Sequence, residues 1–343
     1  MHHVNGNATI RHTGTALLAI TGMEAPVIVP STVFDEQLAS SLKRLRLPRG
    51  LLQRVAGVHE RRWWDADTSF DDAAIAAGAK ALAEAGVDAG DVGLLINTSV
   101  TRAHLEPSVA SRVHDGLGLS SAAMNFDLTN ACLGFVNGLT LAAGLIDSGA
   151  IRYAVIVDGE DAQGTQEATL ARLGGAEATR QDFLDAFATL TLGSGAAAAV
   201  LGPVADHPGG HRLLGGVTRA ATQHHDLCVG GIDGMRTDPA GLLAGGLELV
   251  TAAWREATTD WDWAHLDRYV MHQVSRVHVD AIVEALGIDR ARVPVTFPMF
   301  GNVGPASLPL TLAGEVDSLA TGDRVLCMGV GSGLNTAMLE IEW

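Results

Sequence analysis

A Gly-Ser-Gly turn occurs twice in this chain, at residues 193–195 and 331–333. Each copy runs into an apolar segment of strand character, in "LGSGAAAAVLG" and in "VGSGLNTAMLEIEW". Counted from Leu192 and Val330 the copies start 138 residues apart, beyond the roughly 20–50-residue periods of solenoids. The repeat therefore implies two similar halves. The break is expected in "GPVADHPGGHRLLGG", where proline and glycine cluster, dividing the chain into an N-terminal half, 1–204, and a C-terminal half, 205–343. The first half is longer, and its surplus, residues 167–187, reads as a lid or an interface element.

Short apolar runs alternate with longer helical patterns throughout. "TALLAI", "VGLLINTS", "AAMNFDL", "YAVIVDG", "AAAAVLG", "RYVMHQV", "RVLCMGVG" and "AMLEIEW" read as buried strands,. "DAAIAAGAKALAEAGV", "LGFVNGLTLAAGLIDSG" and "HVDAIVEALGI" read as helices, each ending near a glycine suited to a cap,. This order predicts a layered α/β architecture with a largely internal sheet. At 343 residues, 47% apolar and 18% charged, the chain has enough apolar surface for a substantial core.

A formal charge of −16 excludes an ordinary nucleic-acid binder, which needs a basic face for phosphates. No apolar run reaches the roughly 18 residues of a membrane helix, and the opening "MHHVNGNATIRHTG" lacks a signal-peptide pattern,. The expected location is the cytoplasm. Three cysteines without a CxxC pair suit a reducing compartment and offer no cysteine zinc site,. The His2–His3 and His224–His225 pairs show no ligand set at metal spacing, and no glycine-rich dinucleotide fingerprint opens a strand and helix,. Neither a metal nor a redox cofactor is expected. One stretch departs from the acidic balance: Lys43, Arg44, Arg46, Arg49, Arg54, Arg61 and Arg62 place seven of the 23 basic residues in twenty positions. It reads either as a solvated face or as a landing site for an anionic group.

Three places carry candidate chemistry. Cys132 falls where the strand pattern of "NFDLTNA" gives way to the helical "LGFVNGLTLAAGLI". A helix start stabilises a thiolate and lowers cysteine pKa values to about 3.5–7.5, although a lone cysteine also serves as a small buried hydrophobe. Cys327, inside an apolar strand, fits the packing explanation, and Cys228 has no stronger claim. His272 in "MHQVS" stands at a strand's carboxyl end, where α/β proteins bind ligands, and is a hydrogen-bond donor or acid–base group or a structural histidine. Asn302 in "FGNVGPASLPLTL" is a turn residue or a carboxamide able to polarise a carbonyl.

Taken together, "DLTNACLGF", "MHQVS", "GNVGPASLPL" and "GVGSGLN" resemble, in order and spacing, the thiolase superfamily, specifically its ketoacyl synthase III-like branch. "GVHERRWW" and "AGVDAGDVGLLINTSVT" extend the likeness. Where fatty-acid-initiating synthases read HQAN and GNTSAAS, this chain has "HQVS" and "GNVGPAS". These departures, with "LLINTSVTRAHLEPSVAS", "DGE" at residues 158–160 and "GGVTRAATQHHDLC", resemble the members that join two acyl-CoA molecules at the start of olefin and β-lactone pathways.

The resemblance implies a five-layered αβαβα thiolase fold of two pseudo-repeated halves, a Cys132–His272–Asn302 site and an obligate dimer. It implies an oxyanion hole from the backbone amides of Cys132 and Ser332. Glu106 in "HLEPS", by its residues alone a surface acid before a proline, takes by resemblance the place of a glutamate that enters the neighbouring subunit's site and serves as base. The implied reaction is a non-decarboxylative Claisen condensation of two fatty acyl-CoA molecules, giving a 2-alkyl-3-oxoacyl product and then a β-keto acid. Coenzyme A thioesters are then substrates and no cofactor is needed. Arg44, Arg46, Arg61 and Arg62 are candidate contacts for the coenzyme A phosphates. The acidic surface disfavours an acidic carrier protein in long-range steering. A malonyl-carrier-dependent synthase III is the rival enzyme, and an auxiliary subunit paired with a paralogue the rival of another class. A downstream reductase and a β-lactone-forming enzyme are the implied partners.

Overall fold

The computed structural model describes residues 8–231 and 234–343; the His2–His3 pair lies outside the described residues. Its strands are β1 (Ala8–Arg11), β2 (Thr15–Glu24), β3 (Val27–Pro30), β4 (Glu60–Trp63), β5 (Val92–Asn97), β6 (Met124–Asp127), β7 (Tyr153–Glu160) and β8 (Gly195–Pro203). They continue with β9 (His211–Ala220), β10 (Cys228–Gly231), β11 (Gly234–Thr237), β12 (Arg268–Met271), β13 (Arg324–Gly331) and β14 (Asn335–Glu342). The helices of the first half are α1 (Ser31–Gln37), α2 (Ala39–Arg44), α3 (Phe70–Ala85), α4 (Val109–Gly116), α5 (Gly134–Asp147), α6 (Gln163–Gly174) and α7 (Arg180–Asp185). Those of the second are α8 (Pro239–Ala257), α9 (Arg276–Leu286), α10 (Phe297–Phe300) and α11 (Ser307–Glu315).

All residues of β7 are buried, which is why this strand reads as an unbroken apolar run: both faces are covered by helices. It lies in one mixed sheet ordered β12-β13-β14-β9-β2-β8-β7-β5-β6, with β1 beside β9. The order is repeated. β2 is antiparallel to β8, which is antiparallel to β7, which is parallel to β5; β9, β14, β13 and β12 stand in the same relations. A short pairing of Ala16 with Arg212 and Leu17 with His211 joins the two sets.

Helices α5 and α11 lie between the two sets of strands. Phe135, Val136 and Leu139 of α5 and Leu308 and Leu312 of α11 share one core cluster with Ile156 and Leu201 of the first set and Val325 and Leu339 of the second. On the outer face of the first set, α3 and α4 bury Ala73, Ala77, Val109 and Val113 against Val155 and Val157. On the outer face of the second, α8 and α9 bury Val250, Ala253 and Val279 against Met271, Leu326 and Met338. These are the five layers of the thiolase fold. The alanine-rich inner face of α3 allows close approach to the sheet. The helix is bounded by Ser69, whose side chain accepts from the Asp72 amide, and by Gly86 in the left-handed region at φ 63°,.

Three stretches weighed in the sequence take definite places in the fold. The glycine-rich stretch at the boundary of the halves runs from the end of β8 into the start of β9, a ten-residue strand inside the sheet. A Cβ at Gly215 or Gly216 would collide with the backbone of Ile10 or Met338, so these glycines mark close strand approach. In residues 167–187, Leu170, Leu173, Phe183 and Ala186 pack with Phe34, Leu38 and Leu42 in a separate core cluster. Arg61, a candidate phosphate contact, is fully buried. Its guanidinium donates to the carbonyls of Val29 (3.2 Å) and Leu190 (2.9 Å) and stacks over the Phe34 ring, and burial lowers its pKa to about 10. It is a structural cation tying β3 to the segment before β8. Among the described residues no helix is long and apolar enough to cross a membrane.

Replacing Arg61 by methionine would keep the volume and strand two buried carbonyls, so Arg61→Met is expected to cost about 3 kcal/mol. Urea unfolding measures that loss, with substrate KM of the folded enzyme unchanged; a raised KM at unaltered stability would restore the ligand role.

Candidate active site

The chain leaves β6 and makes a tight turn before α5. Ala131 adopts φ 46°, a left-handed conformation disfavoured for a residue with a Cβ. The Leu133 and Gly134 amides close the turn onto the carbonyls of Asn130 (3.0 Å) and Ala131 (3.2 Å). Cys132 stands at the crest, one residue before the N-cap Leu133 of α5. Asn130 holds the turn from below, donating to Asn137 (2.9 Å) and accepting from Asn335 (3.3 Å). The second Gly-Ser-Gly copy presses against the same turn: a Cβ on Gly331 would lie 2.7 Å from the Asn130 carbonyl oxygen.

His272 follows the last residue of β12, and its amide donates to the Met328 carbonyl (2.9 Å). The next residue, Gln273, is fully buried. It donates to Met271 (3.0 Å) and accepts from the Thr296 amide (2.9 Å), linking the histidine to the segment that leads to Asn302. The Asn302 backbone is clamped by the first Gly-Ser-Gly copy: its amide donates to Thr191 (2.8 Å) and its carbonyl accepts from Gly193 (3.0 Å). A Cβ on Gly193 would collide with the Phe300 carbonyl. The Asn302 side-chain oxygen accepts from the Gly304 amide at 3.0 Å, so this oxygen is held within its own loop and the amide nitrogen is the group left to donate.

Cys132, His272, Asn302 and Ser332 all line one cavity of about 840 Å³, a size that holds an organic ligand. Away from these polar groups it continues as an apolar arm between α8 and α9 and the second set of strands, walled by Leu243, Leu247, Val250, Ile282, Met328 and Met338. Residues 100–105 form its mouth. Glu106, the next residue, is exposed and stands outside its own chain's cavity wall. The arginines are also outside that wall. Arg44 donates to Ala178 and Gly175, and Arg62 pairs with Glu60 at 3.0 Å, while Arg46 is exposed at φ 54°. The structure does not bring these four together at the site.

Three lining residues were not singled out from the sequence as site groups. Glu160, at the end of β7, lies in the segment "DGE"; nothing in the local pattern distinguishes it from a strand terminus. His278 bonds Ser275 at 2.8 Å, and the Ser-x-x-His spacing after "HQV" at a helix start is a signal that a sequence reading can use. Cys228, in the β10–β11 hairpin, is in hydrogen-bond contact with the Ser332 side chain.

Electrostatically the site is buried and acidic. Burial, followed by Cys228, Glu160 and Asp158, pushes the Cys132 thiol up to about 12. Burial outweighs the helix start here, because the cysteine precedes the first turn of α5 rather than standing within it. Burial and neighbouring His278 hold His272 down at about 3, so its imidazole is neutral at ordinary pH and acts as a hydrogen-bonding group rather than a cation. Burial raises Glu160 to about 7 against the bonds it receives from Thr101 and Val100. A thiol, a neutral imidazole and a carboxamide donor meeting at the head of an apolar cavity suit covalent acyl transfer through a thioester, with donors placed for a developing oxyanion or enolate.

A repeated αβαβα scaffold with this constellation defines a thiolase-superfamily condensing enzyme. The sequence models of 3-oxoacyl-[acyl-carrier-protein] synthase III and of its C-terminal region match residues 126–220 and 257–343. The chain is 43% identical to an acyl-CoA:acyl-CoA alkyltransferase of Xanthomonas campestris, over 96% of this chain and 98% of that one. It is 36% identical to an alkyltransferase of the same description from Shewanella oneidensis, over 93% and 96%. A crystal structure of Xanthomonas campestris OleA with bound lauric acid and lauroyl-CoA superposes with a TM-score of 0.95 at 42% identity, covering 97% of this chain and all of that one. The protein belongs to the acyl-CoA:acyl-CoA alkyltransferase family, within the synthase III-like branch of the thiolase superfamily.

Two outcomes follow. Gly331→Ala drives a methyl group into the Asn130 carbonyl and displaces the cysteine turn; Cys132 acylation, read by intact mass, is expected to fall about 100-fold with the circular dichroism spectrum preserved. With the thiol held near 12, the rate of Cys132 alkylation by iodoacetamide should rise about tenfold per pH unit between pH 7 and 9. A plateau below pH 8 would mean that the thiolate already exists in the resting enzyme.

Proposed function

We propose that this enzyme joins two fatty acyl-CoA molecules by a non-decarboxylative Claisen condensation. The observation that carries the reading is the convergence of Cys132, His272 and Asn302 on a cavity with a long apolar arm. The family membership supports it. Cys132 sulfur attacks the thioester carbonyl of the first acyl-CoA; the carbon–sulfur bond to coenzyme A breaks, the thiol proton leaves with the departing thiolate, and the acyl group stays on the cysteine. The amides of Cys132 and Ser332 stabilise the oxyanion.

The second acyl-CoA presents its thioester carbonyl to His272 and Asn302, and Glu106 of the partner subunit removes an α-proton. The resulting carbanion attacks the Cys132 thioester, forms the new carbon–carbon bond and expels the cysteine as thiolate, leaving a 2-alkyl-3-oxoacyl-CoA that hydrolysis converts to a β-keto acid. No resident cofactor is needed. Support for the dimer is local: β6 ends the sheet and pairs only with β5 among the described strands, and Met124 on it is 47% exposed while Leu105 beside Glu106 is 98% exposed. An open edge with apolar side chains needs a cover, and a second copy brought there carries its Glu106 with it.

Incubation with long-chain acyl-CoA alone tests the reading. Free coenzyme A and β-keto acid are expected; a requirement for a malonyl substrate would replace this reading with the decarboxylating one. Cys132→Ala should abolish acylation, whereas Glu106→Ala should acylate at the normal rate and condense about 1,000-fold more slowly. Light scattering should give a homodimer; co-purification only with a paralogue would make it one subunit of a mixed pair.

A further inference from the structure

The segment Asp158-Gly159-Glu160 has no part in the steps above, yet it is bonded to four successive residues at the root of the cavity-mouth loop. Parallel pairing of β5 with β7 ends at Asn97 and Val157. Past that point side chains take over. Thr98 donates its hydroxyl to Asp158 (2.5 Å), and the Ser99 hydroxyl accepts from the Gly159 amide (2.9 Å). Glu160 accepts from the amides of Val100 (2.6 Å) and Thr101 (3.0 Å) and from the Thr101 hydroxyl, which itself accepts from the Asp161 amide (3.1 Å). Arg102 then ties the loop to Asp127 (3.4 Å), whose carboxylate also accepts from the Val109 and Ala110 amides (3.0 and 2.9 Å) where the loop enters α4.

We infer that Glu160, with Asp158 bonded beside it, is a positioning residue: it pins the root of the loop so that Glu106, five residues further on, is presented in a fixed place for condensation. This rests on Glu106 being the base. Both Glu160 oxygens are occupied by donors from the loop, so it accepts rather than moves a proton at substrate. Asp158 is also buried and in hydrogen-bond contact with Glu160, and burial beside that second carboxyl raises it well above the ordinary range. The raised value favours an uncharged Asp158, which keeps two adjacent buried carboxyls compatible,.

The test compares Glu160→Gln, Thr101→Val, Asp158→Asn and Glu106→Ala in the full-length enzyme. Readouts are hydrogen exchange of residues 99–108, Cys132 acylation by mass, and release of the second coenzyme A from lauroyl-CoA. Glu160→Gln is expected to speed exchange in the loop and to slow condensation about 10- to 100-fold while acylation stays within about threefold. Thr101→Val, which removes one hydroxyl, should give the same split in smaller measure and serves if the Gln variant does not fold. Asp158→Asn retains a donor and an acceptor and should stay within about threefold on both steps. Unaltered loop exchange in the folded Glu160 or Thr101 variants, or acylation falling in step with condensation, overturns the inference. Normal condensation by Glu106→Ala would instead remove the base assignment, and the exchange comparison would still decide whether Glu160 pins the loop.

Discussion

The site depends on a reciprocal backbone contact between the two halves. The Gly-Ser-Gly turn of the first half, at 193–195, clamps the backbone of Asn302 from the second; the turn of the second half, at 331–333, lies against the Asn130–Cys132 turn of the first. Each contact is too close for a Cβ, so neither glycine tolerates a side chain without moving a catalytic loop. The repeat therefore does more than duplicate a scaffold. Because each half's turn locates the other half's reactive residue, the relative placement of thiol and carboxamide is set by backbone geometry, which is stiffer than side-chain packing.

That stiffness matters because the interior is electrostatically unfavourable for a thiolate. Asp158 and Glu160 stand near Cys132, and His272 carries no charge. A resting thiolate would be both unsolvated and repelled. The arrangement favours a thiol that loses its proton as the acyl group arrives, when negative charge moves onto an oxygen facing backbone amides. Charge that appears only transiently is the easier to accommodate in such a site.

Much of this was legible in the sequence, and the reasons are specific. Strands such as β7 and β13, buried on both faces, announce themselves as apolar runs, and Cys132, His272, Asn302 and Ser332 sit at element ends where motifs are compact. β9 was not legible because Gly215 and Gly216 interrupt its apolar pattern, and the neighbours that require glycine there, Ile10 and Met338, meet it only in the fold. Arg61 was misplaced because charge patterning cannot distinguish a solvated arginine from one whose donors meet the carbonyls of Val29 and Leu190. Those partners are 32 and 129 residues away. Glu160 eluded the reading for the same reason: its acceptor role exists only because β5 and β7 lie side by side.

The two acyl chains meet unequal surroundings in a single protomer. The second half supplies an enclosed apolar arm, from α8, α9, β13 and β14, for a chain whose carbonyl sits at Cys132. On the mouth side the wall is residues 100–105, with Val100 50% and Leu105 98% exposed. An alkyl chain placed there would keep much of its surface in water, forfeiting about 0.8 kcal/mol for each methylene left unburied. An apolar rim of this kind is the sort of surface that a covering protein face stabilises.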